Sequence, residues 1–174
     1  MRKHKRLHNA GLTLMETLIS SALLAIFSIF IVNIVVVTQK AWTIEHTAVP
    51  VRAEAKKTIE VISKELREGD PSAPGGVAIG GSGNSQTITF SVPNQVSDSS
   101  ISSWRQVQFT HDVGQNYVNR TSSDTGTTTI GRNINLLQFS QANNIVTTTI
   151  RATKATPEGT NLQTTLSSQV RLRN

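Results

Sequence analysis

From Thr17 to Gln39 the chain carries no charged residue, and positions 18–37 read LISSALLAIFSIFIVNIVVV. A run of this length matches a helix that crosses a bilayer. A single isolated segment satisfies its backbone polar groups in lipid only as a helix, so its Val and Ile content does not argue for a strand. Beyond Ala41 the pattern turns amphipathic. Ala55, Ile59, Ile62 and Leu66 recur at spacings of four, three and four. They form one stripe, with Lys56, Lys57, Glu60, Lys64 and Arg67 elsewhere around the helix. The stripe is expected to pack against a sheet. Gly69-Asp70-Pro71 is a helix stop. Pro50 cannot donate to the carbonyl of His46, which predicts a kink or short break near residues 46–50.

From Pro71 the period shifts from that of a helix to that of strands. Residues 71–76, Pro-Ser-Ala-Pro-Gly-Gly, read as a linker, and residues 80–85, Gly-Gly-Ser-Gly-Asn-Ser, as a turn or loop. Short β-rich runs follow at 87–92, 104–110, 115–120, 134–140, 145–152 and 162–172. Turn signals at Asn143-Asn144 and Pro157-Glu158-Gly159 connect the later runs as hairpins. One long helix followed by a strand meander predicts an α+β fold, an antiparallel sheet covered on one face by the helix. The expected divisions are a basic leader at 1–11, a transmembrane helix at 12–40, its amphipathic continuation at 41–70, and a β-rich domain at 71–174.

The charge balance is set by the leader. The chain has 17 Lys and Arg against 11 Asp and Glu. Arg2, Lys3, Lys5 and Arg6 lie in residues 1–11, so without the leader 13 basic groups face 11 acidic ones, a net +2. Basic residues crowd the N-terminal side of the apolar run, and only Lys40 follows it closely. The positive-inside rule then puts the leader in the cytoplasm and everything after Ala41 outside. A secretory signal peptide would have a shorter apolar core and a small-residue cleavage site, whereas Ala41-Trp42-Thr43 matches one poorly. The chain has no cysteine. Stability outside the membrane therefore comes from a packed core without disulfides.

Glu16 stands at the mouth of the uncharged segment, where a carboxylate is costly and calls for a function. Residues 13–16, Thr-Leu-Met-Glu, fit a capping box, with Thr13 as the helix cap and Glu16 reaching back to it. In that role Glu16 simply faces the positive end of its own helix. A plain single-pass anchor accounts for the length and charge of the segment but not for Glu16 or for Gly11 immediately before it.

Gly11-Leu12-Thr13-Leu14-Met15-Glu16 resembles the N-terminal signal of type IV prepilins and type II secretion pseudopilins. The resemblance implies cleavage between Gly11 and Leu12 by a membrane prepilin peptidase and N-methylation of Leu12. The family usually has phenylalanine where Leu12 stands, with leucine a less common variant. Glu16 would then pair with the amino terminus of a neighbouring subunit, an attraction far larger in a low-dielectric medium than in water. The downstream chain resembles the J-type minor pseudopilins and W-type minor pilins at Glu65-Leu66-Arg67, Tyr117-Val118-Asn119-Arg120 and Val170-Arg171-Leu172-Arg173-Asn174. The implied protein is a non-enzymatic filament subunit held in the bacterial inner membrane, with other pilin-like subunits as partners. An adhesive or DNA-capturing minor pilin is the alternative, and a plain membrane-anchored β-domain is a third reading.

Candidate chemistry elsewhere is thin. Arg105, Arg120, Arg132, Arg151, Arg171 and Arg173 are scattered singly and read as solvated side chains rather than the clustered basic face of a nucleic-acid binder. A patch composed in the fold is the condition for nucleic acid as a partner. His46 and His111 read as surface histidines. There is no Gly-x-Ser-x-Gly nucleophile motif, and the glycine loop at 80–85 lacks the Gly-Lys-Ser/Thr of a phosphate loop. Asp98, Asp112 and Asp124 are too widely spaced for a linear calcium loop. No metal, cofactor or small-molecule substrate is expected, and no enzymatic activity.

Overall fold

The computed structural model describes residues 13–97 and 100–172. Gly11 and Leu12, the expected cleavage and methylation positions, lie outside the described residues, as does Asp98. The chain divides into two units, Met1–Trp42 and Thr43–Asn174. One helix, α1 (Leu14–Glu68), begins in the first and ends in the second.

In the first unit every described residue is exposed. The helix there is long and apolar enough to cross a membrane. Four of its hydroxyls are satisfied within the helix. Thr17, Ser21, Ser28 and Thr38 donate to the carbonyls of Leu14, Leu18, Leu24 and Ile34 at 2.8–2.9 Å. Back-bonding of this kind lets Ser and Thr sit in an apolar medium without an unpaired donor.

In the second unit α1 continues through Pro50 unbroken, so of the kink or short break expected at 46–50 the break does not occur. The buried side chains of α1 are Val51, Ala55, Thr58, Ile59, Ile62, Ser63 and Leu66. Ala55, Ile62 and Leu66 are fully inaccessible and Ile59 nearly so. The helix closes on Gly69, whose N–H donates to the carbonyls of Glu65 and Leu66. Gly69 lies so close to the Phe90 ring that a β-carbon would come within 2.9 Å of it. Glycine is therefore needed for packing here as well as for the stop.

Eight strands form the sheet: β1 (Val77–Ser82), β2 (Ser85–Ser97), β3 (Ser100–Asp112), β4 (Tyr117–Ser122), β5 (Gly126–Gly131), β6 (Ile134–Ala142), β7 (Ile145–Ala155) and β8 (Asn161–Arg171). Their order is β5-β4-β3-β2-β6-β7-β8, with β1 paired to β2. All pairings are antiparallel except β2–β6, which is parallel and limited to Ser85 and Leu137. Alternation along the strands sends Ile88, Phe90 and Val92 of β2, Phe109 of β3, Val118 of β4, and Val146 and Ile150 of β7 into one core with the helical stripe. Each such fully buried aliphatic side chain contributes about 1.5–3 kcal/mol by leaving water.

Several sequence expectations change. The stretch at 80–85 is not all loop, because β1 runs to Ser82 and only Gly83-Asn84 turn. Strand β5 lies in a segment the polarity pattern left unassigned. The run at 115–120 starts as a strand only at Tyr117, since Asn116 takes a φ of 55° in the preceding turn. Residues 71–76 are not a free linker. Ala73 is buried, Ser91 Oγ donates to Pro74 O at 2.8 Å, and Asp70 N donates to Ser91 O.

Candidate functional site

The start of α1 shows one half of the capping box. Thr13 Oγ1 accepts from the Glu16 amide at 3.3 Å, and Thr13 O accepts from the amides of Glu16 and Thr17. Among the described residues the Glu16 carboxylate takes no partner, and it is exposed on the first turn. Thr13 therefore supplies the cap through its side-chain hydroxyl, while the Glu16 carboxylate lies near the positive end of the helix.

At the other end of α1 the arginines find partners. Arg120 of β4 donates through Nε to Glu65 Oε1 at 2.6 Å, with both side chains almost wholly enclosed, and Nη1 donates to Thr125 Oγ1 at 3.0 Å. Arg105 of β3 sits 3.6 Å from both Glu68 and Asp124. The Ser122 hydroxyl donates to Asp124. That hydrogen bond, with the charge of Arg105, holds the Asp124 carboxyl below its ordinary value of 3.8. Arg132 lies over the Tyr117 ring, 5.6 Å from its centre. The reading of Arg105 and Arg120 as solvated singles is corrected: both are paired and largely buried, and they tie the helix end to the sheet. Glu65 Oε2 is buried with no partner, so this pair depends on a single strong hydrogen bond.

The three segments that carry the downstream resemblance each contribute to the second unit's interior. Glu65 and Arg120 form the ion pair, while Leu66, Val118, Val170 and Leu172 are buried in the same core. A second fastening lies where the chain passes from β5 to β6. The Arg132 amide donates to Glu54 Oε1 at 3.0 Å, and a β-carbon on Gly131 would overlap Thr58 Oγ1.

His111 is buried, not a surface residue. Its Nε2 lies 2.7 Å from Ile134 O and its Nδ1 3.1 Å from Asn84 O. The ring fills the seam where β2 and β6 share their one parallel pair. The shorter contact fits Nε2–H as donor. A lone histidine with two carbonyl neighbours is a structural clasp rather than a base. Among the described residues no group of three or more His, Cys, Asp or Glu is placed to hold a metal ion.

No protein-family model matches the chain, and comparison with curated proteins and with solved structures found no match.

Proposed function

We propose that this chain is a non-enzymatic structural subunit, a minor pilin or pseudopilin, of a type IV filament machine. The observation that carries the reading is the junction at residues 11–16: a glycine that ends a basic leader, then a glutamate five positions on, opening an uncharged helix of membrane length. Cleavage after Gly11 would expose an amino group on Leu12. In the assembled filament that group pairs with Glu16 of a neighbour. Two unit charges 4 Å apart gain about 1 kcal/mol in water and several times more at a lower effective dielectric. Pairing thus favours subunits that have moved from lipid into a helix bundle. The exposed Glu16 carboxylate, with its backbone amide already served by Thr13, supports this role. Until it is drawn into a filament, the apolar half of α1 holds the subunit in the inner membrane. The sheet domain lies outside and meets other subunits. A nucleic-acid-capturing subunit would need free guanidinium groups, and Arg105 and Arg120 face carboxylates instead.

The test compares Glu16→Leu with Glu16→Gln in a filament or secretion assay. Both are expected to insert and to be processed, because the cut lies on the far side of Leu12. Both are expected to lose assembly, because the neighbour's amino terminus would lack its counter-charge. Loss of a cap alone would cost about 1 kcal/mol and leave assembly largely intact. Normal assembly with Glu16→Gln would remove the charge-pairing mechanism.

A further inference from the structure

Strand β6 pairs with β2 only at Ser85 and Leu137, so beyond Leu137 it has β7 on one side and, among the described residues, no strand on the other. The start of β2 and the turn before it meet this free side through hydrogen bonds. Leu137 N–H donates to Asn84 O, Gln138 Nε2 donates to Gly83 O at 3.0 Å, and Phe139 N–H donates to Gln86 Oε1. A cleft of about 290 Å³ lies beside them, lined by Gln86, Gln138, Phe139, Ser140, Thr147 and Thr149. That is near the small end of ligand pockets, which begin at about 300 Å³.

The lining is neutral, and its amides are already oriented. Gln138 stands opposite Thr149 and Ser140 opposite Thr147. These four alternate with the buried Phe139, Val146, Thr148 and Ile150, so they lie on the face turned away from the core. The Phe139 side chain belongs to that core. Each glutamine has one end of its amide committed. The Phe139 N–H requires an oxygen, which fixes Oε1 of Gln86 and leaves its amino group. The Gly83 carbonyl requires a donor, which fixes Nε2 of Gln138 and leaves its oxygen. Among the described residues, Gln86 Nε2 and Gln138 Oε1 take no partner of their own. The lining residues thus offer an amino group, a carbonyl oxygen and the hydroxyls of Ser140, Thr147 and Thr149. The polar row continues past the cleft, with Thr149 Oγ1 3.4 Å from Ser167 Oγ and Thr147 opposite Gln169 of β8.

We propose that this cleft binds a neutral saccharide. A sugar hydroxyl is donor and acceptor at once, so neighbouring hydroxyls on one ring serve the amino group of Gln86, the oxygen of Gln138 and the three hydroxyls together. Other ligand classes fit less well. A phosphate, carboxylate or nucleic acid calls for a cation, and none lines the cleft. An apolar ligand would expel water and leave the amides and hydroxyls unpaired. A metal ion would find neither carboxylate nor imidazole. An added peptide strand would need the Phe139 N–H, which Gln86 already occupies. Ser167 and Gln169 give a longer sugar chain further groups to meet. The inference goes beyond the filament reading and does not depend on it.

The test uses the full chain in lipid nanodiscs, prepared without glycosidic detergent. Maltose, cellobiose and diacetylchitobiose are titrated in turn, and saturation-transfer NMR reads which sugar protons contact the protein. At least one of the three is expected to give a saturable signal. The double variant Thr147→Val, Thr149→Val keeps shape and strand preference but removes two hydroxyls. It is expected to weaken binding roughly tenfold or more, the loss of two hydrogen bonds. Ser140→Leu blocks the exposed rim without touching the floor, is expected to abolish the signal, and serves should the double variant fold poorly. Thr165→Val, an exposed threonine of β8 outside the cleft, is expected to leave binding unchanged. Tetrasaccharides of the same series distinguish the sources: tighter binding than the disaccharide marks a polysaccharide, equal binding a free sugar. The proposal is overturned if none of the three disaccharides binds, or if Ser140→Leu and the double variant bind as the parent does. It is also overturned if Thr165→Val loses as much as the double variant, which would mean general adhesion to the sheet, or if glucuronate binds far more tightly than glucose, which would mean a site for anions.

Discussion

Replacing Arg120 with Met should cost far more than the loss of a surface ion pair. The guanidinium lies 2.6 Å from Glu65, and the two side chains are only 13% and 14% exposed. Removing it strands a carboxylate whose second oxygen is already buried without a partner. Breaking a buried pair by deleting one member costs about 3–5 kcal/mol, whereas an exposed pair contributes about 0–1. The residual exposure and the loss of the Thr125 contact place Arg120→Met at about 3 kcal/mol. Glu65→Met should cost a similar amount, because it leaves the guanidinium enclosed. The double replacement restores an apolar contact of similar volume and should cost about 1 kcal/mol, so the two singles are strongly non-additive. Thermal unfolding of residues 43–174, followed by circular dichroism, measures this. Each single variant should melt roughly 10 °C lower, and the double variant should recover most of that loss. If Arg120→Met melts within a degree or two of the parent, or if the double variant loses the sum of the singles, the pair is not the buried tie described above.

Ile59→Asp or Ile62→Asp puts a charge without a partner into the core that the helix shares with the sheet. Each should lower stability by about 4 kcal/mol or more. An unchanged melting temperature for Ile59→Asp would refute the helix–sheet packing. The Asp124 carboxyl titrates lower in the folded chain than in the unfolded chain. The stability it supplies is present above pH 3.8 and is lost as the pH falls through its folded value. Asp124→Asn should therefore flatten the acid limb of a stability–pH curve below about pH 4 and leave the slope near neutrality unchanged. A parallel offset at every pH would mean that the loss is one of packing rather than of charge.

The helix was legible because an apolar stretch of membrane-crossing length and a one-sided core each leave a record in sequence. An uncharged run marks the first, and the four-three-four spacing from Ala55 to Leu66 marks the second. Strands with one face in the core, such as β2, announce themselves by alternation. Strand β5 did not, because nearly all of Gly126–Gly131 is exposed at the sheet edge, so neither face selects apolar residues. Strand β1 was hidden by Gly80-Gly81, which reads as a turn but here lies against β2. The parallel contact between β2 and β6 could not be read either, since it depends on a crossover that no local signal records. The same holds for the buried polar groups. Arg120 meets Glu65 across 55 residues and His111 meets Ile134 across 23, so their burial follows from tertiary placement and not from neighbours in sequence. At the other end, Thr13 was legible as a cap because capping is local.

The central claim is that Gly11 and Leu12 form a processing junction on a filament subunit. Intact mass and N-terminal sequence of the protein extracted from membranes of its native host test it most directly. The proposal predicts a chain that begins at Leu12, shorter by residues 1–11 and heavier by one methyl group on its amino terminus. A chain that retains Arg2, Lys3, Lys5 and Arg6 in cells with an active prepilin peptidase would contradict it.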